Sequence, residues 1–365
     1  MRVVGLYKHL PIEDPQSLVD LHIEKPALPI GHDLLIAVKA VSVNPVDTKV
    51  RKGLIPVENE NLPHILGWDA SGKVIAVGPD CTLFREGDEV YYAGTITRPG
   101  TNSQFHVVDE RIVGRKPKTL SFEEASAMPL TTITAWEALF DRLSLSEHIS
   151  KKTMASMISN DSIINIPEKK HYILIIGGAG GVGSIAIQLA KQVAAASHSL
   201  AVIATASRNE SRAWCNKMGA DYVINHHDDI KKQLQQIVGI DYVDYILCLN
   251  DTDSYFSMMA HSVAPQGRIC SIVETNAPVN LGGLLRQKSV AFVWELMFTR
   301  SLYQTQDMIK QHHLLNLVAD LIDDKRIRTT LTEVLSPINS ENLRKAHKKL
   351  ESGRTIGKIV LSGFF

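Results

Sequence analysis

The sequence predicts an α/β protein: a β-rich, barrel-like domain ahead of a doubly wound parallel sheet. Three observations carry that expectation. Short strand-like runs separated by turn signals fill residues up to about 125. Beyond about 170, apolar runs alternate with helical patterns. Where the alternation begins, a cluster of glycines stands between a strand pattern and a helix pattern. Short, frequent strands suit a barrel, whereas strand–helix alternation builds a parallel sheet.

In the first stretch, runs at 34–43, 73–77, 89–92 and 105–108 read as strands. Pro29-Ile30-Gly31, Gly78-Pro79-Asp80 and Pro99-Gly100 supply the turns between them. Residues 121–143 read as a helix, with Ser121 as N-cap and Glu124 closing a capping box. The polar, Ser/Asn/Lys-rich segment 151–170 is expected to be a surface excursion. Strands are then expected at 172–177, 201–205, 221–224, 243–249 and 268–273. Helices are expected near 181–195, 209–218, 228–238 and 253–264. The apolar run 290–298 is expected at the sheet edge, where unpaired backbone invites a second copy, so a homodimer is expected. Helices at 305–323 and 340–351 and a strand at 358–361 close the chain. A lone final strand needs a partner sheet, and its expected partner is the first domain. The expected division is 1–125 with 300–365, and 126–299.

Composition excludes several classes of function. With 365 residues, 44% hydrophobic and 21% charged, the chain has the make-up of an ordinary two-domain globular protein. A formal net charge of zero argues against a dedicated nucleic-acid or membrane-surface binder. No apolar run approaches the roughly 18 residues that span a bilayer, and the first residues lack the pattern of a signal peptide, so a cytoplasmic protein is expected. Cys81, Cys215, Cys248 and Cys270 form no C-x-x-C pair and no zinc-ligand spacing. The adjacent pairs His226-His227 and His312-His313 read as surface residues.

The glycine cluster carries the first chemistry. Ile173-Leu174-Ile175-Ile176 reads as a buried strand; Gly178, Gly180 and Gly183 follow at G-x-G-x-x-G spacing; an apolar helix pattern runs on from Ile185. That context makes the motif a dinucleotide fingerprint. Gly178 is expected to allow the tight turn, Gly180 to let backbone approach a pyrophosphate, and Gly183 to let helix and strand pack closely. The N–H groups at the helix start, with Gly181 and Val182 among them, would hold phosphate. The next strand ends at Ala204-Thr205-Ala206-Ser207-Arg208, without the carboxylate that bonds a ribose 2′-hydroxyl in NAD sites. Ser207, Arg208 and Arg212 would instead hold a 2′-phosphate, so the expected cofactor is NADPH, with two solvated surface arginines as the alternative. Asn250 and Val273 follow later strands of the same sheet and are expected to line the cofactor.

The chain resembles the medium-chain dehydrogenase/reductase superfamily over nearly its whole length. The resemblance rests on Val43-Asn44-Pro45-Val46-Asp47-Thr48-Lys49-Val50-Arg51-Lys52-Gly53, Leu66-Gly67-Trp68-Asp69-Ala70-Ser71-Gly72, Phe84-Arg85-Glu86-Gly87-Asp88-Glu89-Val90, Pro129-Leu130-Thr131-Thr132-Ile133-Thr134-Ala135-Trp136, the glycine motif and Gly357-Lys358-Ile359-Val360-Leu361. Within it, the chain is similar to the quinone oxidoreductase branch and to the group labelled zinc-type alcohol dehydrogenase-like. The resemblance implies a GroES-like catalytic domain, a Rossmann cofactor domain and a cofactor in the cleft between them. Zinc-dependent members bind catalytic zinc through Cys, His and Cys. Asn44, Trp68 and a position at or near Leu130 correspond to those ligands, and Asp69 to the Glu beside the His. An amide, an indole and an alkyl chain make no tetrahedral zinc site, so no metal is expected.

Without a Lewis acid, oxidation of a simple alcohol lacks stabilisation for its alkoxide. The expected reaction is therefore hydride transfer from NADPH to a quinone or to an enone or enal, as the branch implies. Asn44 is the expected neighbour of nicotinamide and substrate carbonyl, although a turn-forming role before Pro45 competes. Asp47 is expected to hold structure through a local ion pair. Lys49 is a candidate proton donor or phosphate neighbour, or else a solvated side chain. By resemblance, Thr131 and Thr134 hold the nicotinamide carboxamide or ribose, with a hydroxyl bonded to its own helix turn as the alternative for Thr134. Lys358 is expected to reach the cleft. Two other functions compete: a zinc-dependent alcohol dehydrogenase, and a non-catalytic NADPH-binding redox sensor.

Overall fold

The computed structural model describes residues 1–56, 62–145, 170–197 and 199–364. The expected excursion at 151–170 lies outside them except for Lys170. The chain divides into two compact units, Met1–Ile133 with Met297–Phe365, and Thr134–Leu296. The expected boundary near 125 thus moves into a helix that begins in one unit and ends in the other.

The first unit opens with β1 (Arg2–Leu6), β2 (Val19–His22) and the long β3 (Asp33–Ser42). Then come α1 (Pro45–Arg51), β4 (His64–Ile65), β5 (Ala70–Val77), β6 (Glu89–Tyr92), β7 (Phe105–Asp109) and β8 (Val113–Arg115). The helix expected over 121–143 is split. Ser121 and Glu124 form the capping box of α2 (Phe122–Ser126) as expected. Pro129 has no N–H to continue that helix, and it starts α3 (Pro129–Trp136) instead. A wider π turn follows over Glu137–Arg142.

The second unit alternates as the sequence predicts: β9 (His171–Ile176), α4 (Gly181–Ser197), β10 (Leu200–Thr205), α5 (Asn209–Met218), β11 (Tyr222–Ile224), α6 (Ile230–Gln233), β12 (Val243–Cys248), α7 (Thr252–Ser262), β13 (Val263–Ser271) and β14 (Ala291–Trp294). These strands form one parallel sheet in the order β11-β10-β9-β12-β13-β14. Chain order reverses at β9, the place where such sheets open a ligand crevice at their carboxyl ends. Leu174, Ile176, Ile203, Ile246, Cys248 and Ile269 fill the core beneath. The edge strand is shorter than the apolar run 290–298. It ends where Glu295 turns inward to meet Arg142 Nε at 2.8 Å. Burial and the adjacent Glu137 push that carboxyl up to about 9.

The chain then returns to the first unit with α8 (Lys310–Asp323), β15 (Leu331–Leu335), α9 (Ser340–Glu351) and β16 (Lys358–Ser362). As expected, β16 joins the first domain's sheet, antiparallel to β3 with Val360 opposite Ser42 and parallel to β15. That sheet runs β15-β16-β3-β5-β6-β8, with β7 also on β3; a small sheet β2-β1-β4 lies apart. His312 is buried rather than superficial, because its ring nitrogens meet Val113 O and Asn316 Nδ2. No described helix is long and apolar enough to cross a membrane.

Candidate functional site

In the first unit a polar cluster collects at the junction of β3, α1, β5 and β16. β3 delivers Asn44 to the N-cap of α1, where Asp47, three residues on, accepts the Asn44 backbone N–H at 2.6 Å. The strand pairing of β16 with β3 places Lys358 beside them, and the start of β5 places Asp69. The Lys358 ammonium donates to Val43 O at 3.0 Å, to Asn44 Oδ1, and to Asp69 Oδ2 at 3.1 Å. Asn44 Nδ2 donates to the same Asp69 Oδ2 at 3.1 Å and leans on Ser42 O at 3.4 Å. Asp69 Oδ1 accepts the Leu130 N–H at 3.1 Å. Asn44, Asp47, Asp69 and Lys358 are all 3% exposed or less.

Burial dominates the electrostatics. It pushes Asp47 up to about 7 and Asp69 up to about 6, against the pull of Lys358. It lowers Lys358, which Asp69 holds up. Two carboxyls and one ammonium leave the buried cluster with one negative charge in excess when all three are ionised, which burial disfavours. Asp47 Oδ1 has no hydrogen-bond partner.

These contacts revise several expectations. The amide of Asn44 is committed inside the cluster rather than offered to a substrate oxygen. Asp47 caps α1 instead of forming a close ion pair. Lys49 lies on the exposed face of α1, in keeping with the solvated alternative. Thr131 is buried and donates its hydroxyl to Met128 O at 3.1 Å, the own-turn bond that the sequence weighed for Thr134. Thr134 is buried in the second unit. Trp68 donates its indole N–H to Thr95 O and packs edge-on against Phe298. No group of three metal-binding side chains occurs among the described residues.

In the second unit, the carboxyl ends of β9, β10, β12 and β13 carry the expected loops. The turn after β9 is made by Gly177, with φ of +86°, and not by Gly178. Gly178 serves close packing: a Cβ there would lie 2.8 Å from Ala204 Cβ and 3.2 Å from Cys215 Sγ. Gly183 packs as expected, since a Cβ would lie 2.4 Å from Gly177 O. At Gly180 a Cβ would meet only Gly177 O, at 3.6 Å, so that face stays open to a ligand. Gly181, Val182 and Gly183 head α4, where an α-helix has no upstream carbonyl for its N–H groups. Such an end fits a pyrophosphate.

Ser207 and Arg208 follow β10, Ser207 half-buried and Arg208 exposed at the N-cap of α5. Arg212 is corrected: its guanidinium donates to Ala206 O at 3.3 Å and Val223 O at 2.8 Å, tying α5 to the sheet. Asn250 is exposed and lies beside Gly177, with its Cβ 3.7 Å from where a Gly177 Cβ would sit. Val273 follows β13, and its carbonyl accepts from Thr252 Oγ1, which also meets Ser271 Oγ at 2.5 Å. Sequence reading missed Thr252; its only local signal was its place just after β12.

Comparison with known proteins agrees with this anatomy. Residues 31–124 match the alcohol dehydrogenase GroES-like domain, and residues 218–361 match the zinc-binding dehydrogenase domain. A zinc-type alcohol dehydrogenase-like protein of Staphylococcus aureus is 40% identical over 362 residues, covering 99% of this chain and all of that one. A 2-methylene-furan-3-one reductase of Solanum lycopersicum is 28% identical, covering 90% of this chain and 71% of its own length. Among solved structures, a Rhizobium etli protein titled as a candidate zinc-dependent alcohol dehydrogenase is 48% identical with a TM-score of 0.88, covering 100% of this chain and 98% of its own. Escherichia coli quinone oxidoreductase complexed with NADPH is 25% identical with a TM-score of 0.77, each chain fully covered.

Proposed function

The chain belongs to the medium-chain dehydrogenase/reductase superfamily, and from that premise we propose that it is a zinc-independent, NADPH-dependent reductase of quinones or α,β-unsaturated carbonyls. The contacts of Lys358 carry this reading. Its ammonium holds the Asn44 amide, at a position that corresponds to a zinc ligand of metal-dependent members, and the Asp69 carboxylate, which corresponds to the Glu beside the ligand His. An interior cation of the chain's own already engages those oxygens. With Trp68 and Leu130 at the remaining positions, the donor set does not fit zinc.

The second unit fits a nicotinamide dinucleotide on its own observations. Gly180 presents an open backbone face, and Gly181, Val182 and Gly183 offer helix-heading N–H groups. Arg208, exposed beside Ser207 with no carboxylate at the strand end, favours a 2′-phosphate. Bound NADPH would supply hydride, and an acceptor already poor in electrons needs no metal to receive it. The balance is one NADPH, one proton and one acceptor giving NADP⁺ and the reduced acceptor. The chain's part is to hold the dinucleotide by its phosphates and to keep a preorganised, buried polar cluster in the first unit.

The test is oxidation of NADPH and NADH against 1,2- and 1,4-quinones, enals, enones and simple aldehydes, with and without a chelator. Turnover is expected with quinones or enals, faster with NADPH and indifferent to the chelator. Chelator-sensitive oxidation of simple alcohols with NAD⁺ would overturn the reading.

A further inference from the structure

We propose that Trp214 is a positioning residue for dinucleotide binding, acting through Ser184 on the carbonyl of Gly180. The inference rests on reading the glycine loop as the cofactor cradle. The Trp214 indole Nε1 donates to Ser184 Oγ at 2.8 Å, and Ser184 Oγ donates to Gly180 O at 2.7 Å. Chemistry fixes the direction of this relay. An indole N–H only donates, so the hydroxyl must accept from it. The hydroxyl's single hydrogen is then free for Gly180 O.

The Ser184 backbone N–H also reaches Gly180 O, at 2.9 Å. Two donors from one residue therefore fix the carbonyl of the glycine whose opposite face is open. Holding that peptide plane also holds the N–H of Gly181, which belongs to the same peptide group. Ser184 is fully buried, so its hydroxyl cannot exchange its partners for bulk water.

Trp214 adds a second tie, because it belongs to α5, the helix that starts beside Arg208. Ser211 caps that start: its hydroxyl accepts the Arg208 N–H at 3.2 Å and donates to Arg208 O at 2.9 Å. On the strand side, Thr205 Oγ1 accepts the Gly177 N–H at 3.0 Å and Thr205 O accepts the Gly178 N–H at 3.2 Å. The loop is thus anchored to β10 at its entry and to α5 at its centre. Without the relay the central anchor is gone while the entry remains.

The experiment titrates NADPH and NADH into the full-length protein by calorimetry, for Trp214→Phe, Ser184→Ala and the double variant. Each single variant is expected to raise both Kd values about fivefold, the worth of one neutral hydrogen bond. Because both break one relay, the double variant should be no weaker than Ser184→Ala alone. The kcat at saturating cofactor should be unchanged. Far-UV circular dichroism and the thermal midpoint of the free protein check that Trp214→Phe stays folded. Wild-type Kd values in folded Trp214→Phe, or penalties that multiply in the double variant, would overturn the proposal. Arg208→Ala separates it from the coenzyme reading. If that variant leaves NADPH binding intact, the 2′-phosphate assignment fails, while an equal loss of both dinucleotides in Trp214→Phe still supports the relay.

Discussion

An ammonium enclosed by protein is tolerated when each of its hydrogens finds an oxygen. Lys358 meets that condition with Val43, Asn44 and Asp69. Lys358→Met keeps the stem and removes the charge, leaving the Asn44 amide oxygen without this donor and the buried Asp69 carboxylate without its cation. We expect a loss of about 3–5 kcal/mol in urea unfolding; a loss under about 1 kcal/mol would mean that water readily replaces the ammonium. Asp47 gives a second prediction. Its folded value of about 7 stands above the ordinary aspartate value of 3.8, so between those limits the folded state keeps a proton that the unfolded state has released. The stability from that proton is present below the lower limit and lost as pH rises through the upper one. Asp47→Asn abolishes this titration, so its stability relative to the native protein should climb across the window. A difference that stays flat with pH would show that Asp47 does not titrate there. The sequence singled out Asn44 and Lys358, but not their meeting. They are 314 residues apart, and only the pairing of β16 with β3 joins them. Arg212 failed for a related reason: its spacing from Arg208 suited a phosphate, yet the nearby carbonyls of Ala206 and Val223 claimed it.

At the level of elements, the glycine turn separates two kinds of requirement that one motif blends. Gly183→Ala drives a Cβ to 2.4 Å from Gly177 O and should cost the fold itself, seen as a lower thermal midpoint. Gly180→Ala has room within the protein and a permissive backbone angle, so the midpoint should hold. Its methyl group would stand on the open face, so dinucleotide affinity should fall at least tenfold, a penalty of about 1.4 kcal/mol. If Gly180→Ala binds NADPH normally, that face is not where the pyrophosphate lies. Strands β9 to β13 and their helices were legible because a period of 3.6 alternates with buried β-branched runs. β1, β2, β4, β8 and β15 were not. Each is five residues or fewer, and its polar and apolar residues make sense only beside a partner strand. The split at Pro129 was readable from the proline alone, but the apolar continuity of the segment concealed it.

For the whole molecule, the open question is what faces the outer edge of β14. Its inner edge pairs with β13, Cys270 opposite Val293 and Ser271 opposite Trp294, and it ends the sheet order among the described residues. Around it Trp294 is 45% exposed and Leu296 50% exposed. A bare parallel-sheet edge flanked by a large aromatic residue is an association hazard unless something covers it. The simplest cover is the same edge of a second copy, since a two-fold axis makes one patch its own partner. We therefore expect light scattering to report twice the 40.3 kDa of one chain. Trp294→Glu places a charge on that patch and should give the single-chain mass. Binding of a nicotinamide dinucleotide should survive, because the glycine turn follows β9, with two strands between β9 and β14 in the sheet. A native protein of single-chain mass would remove the dimer. A Trp294→Glu variant that remains dimeric would move its seam away from β14.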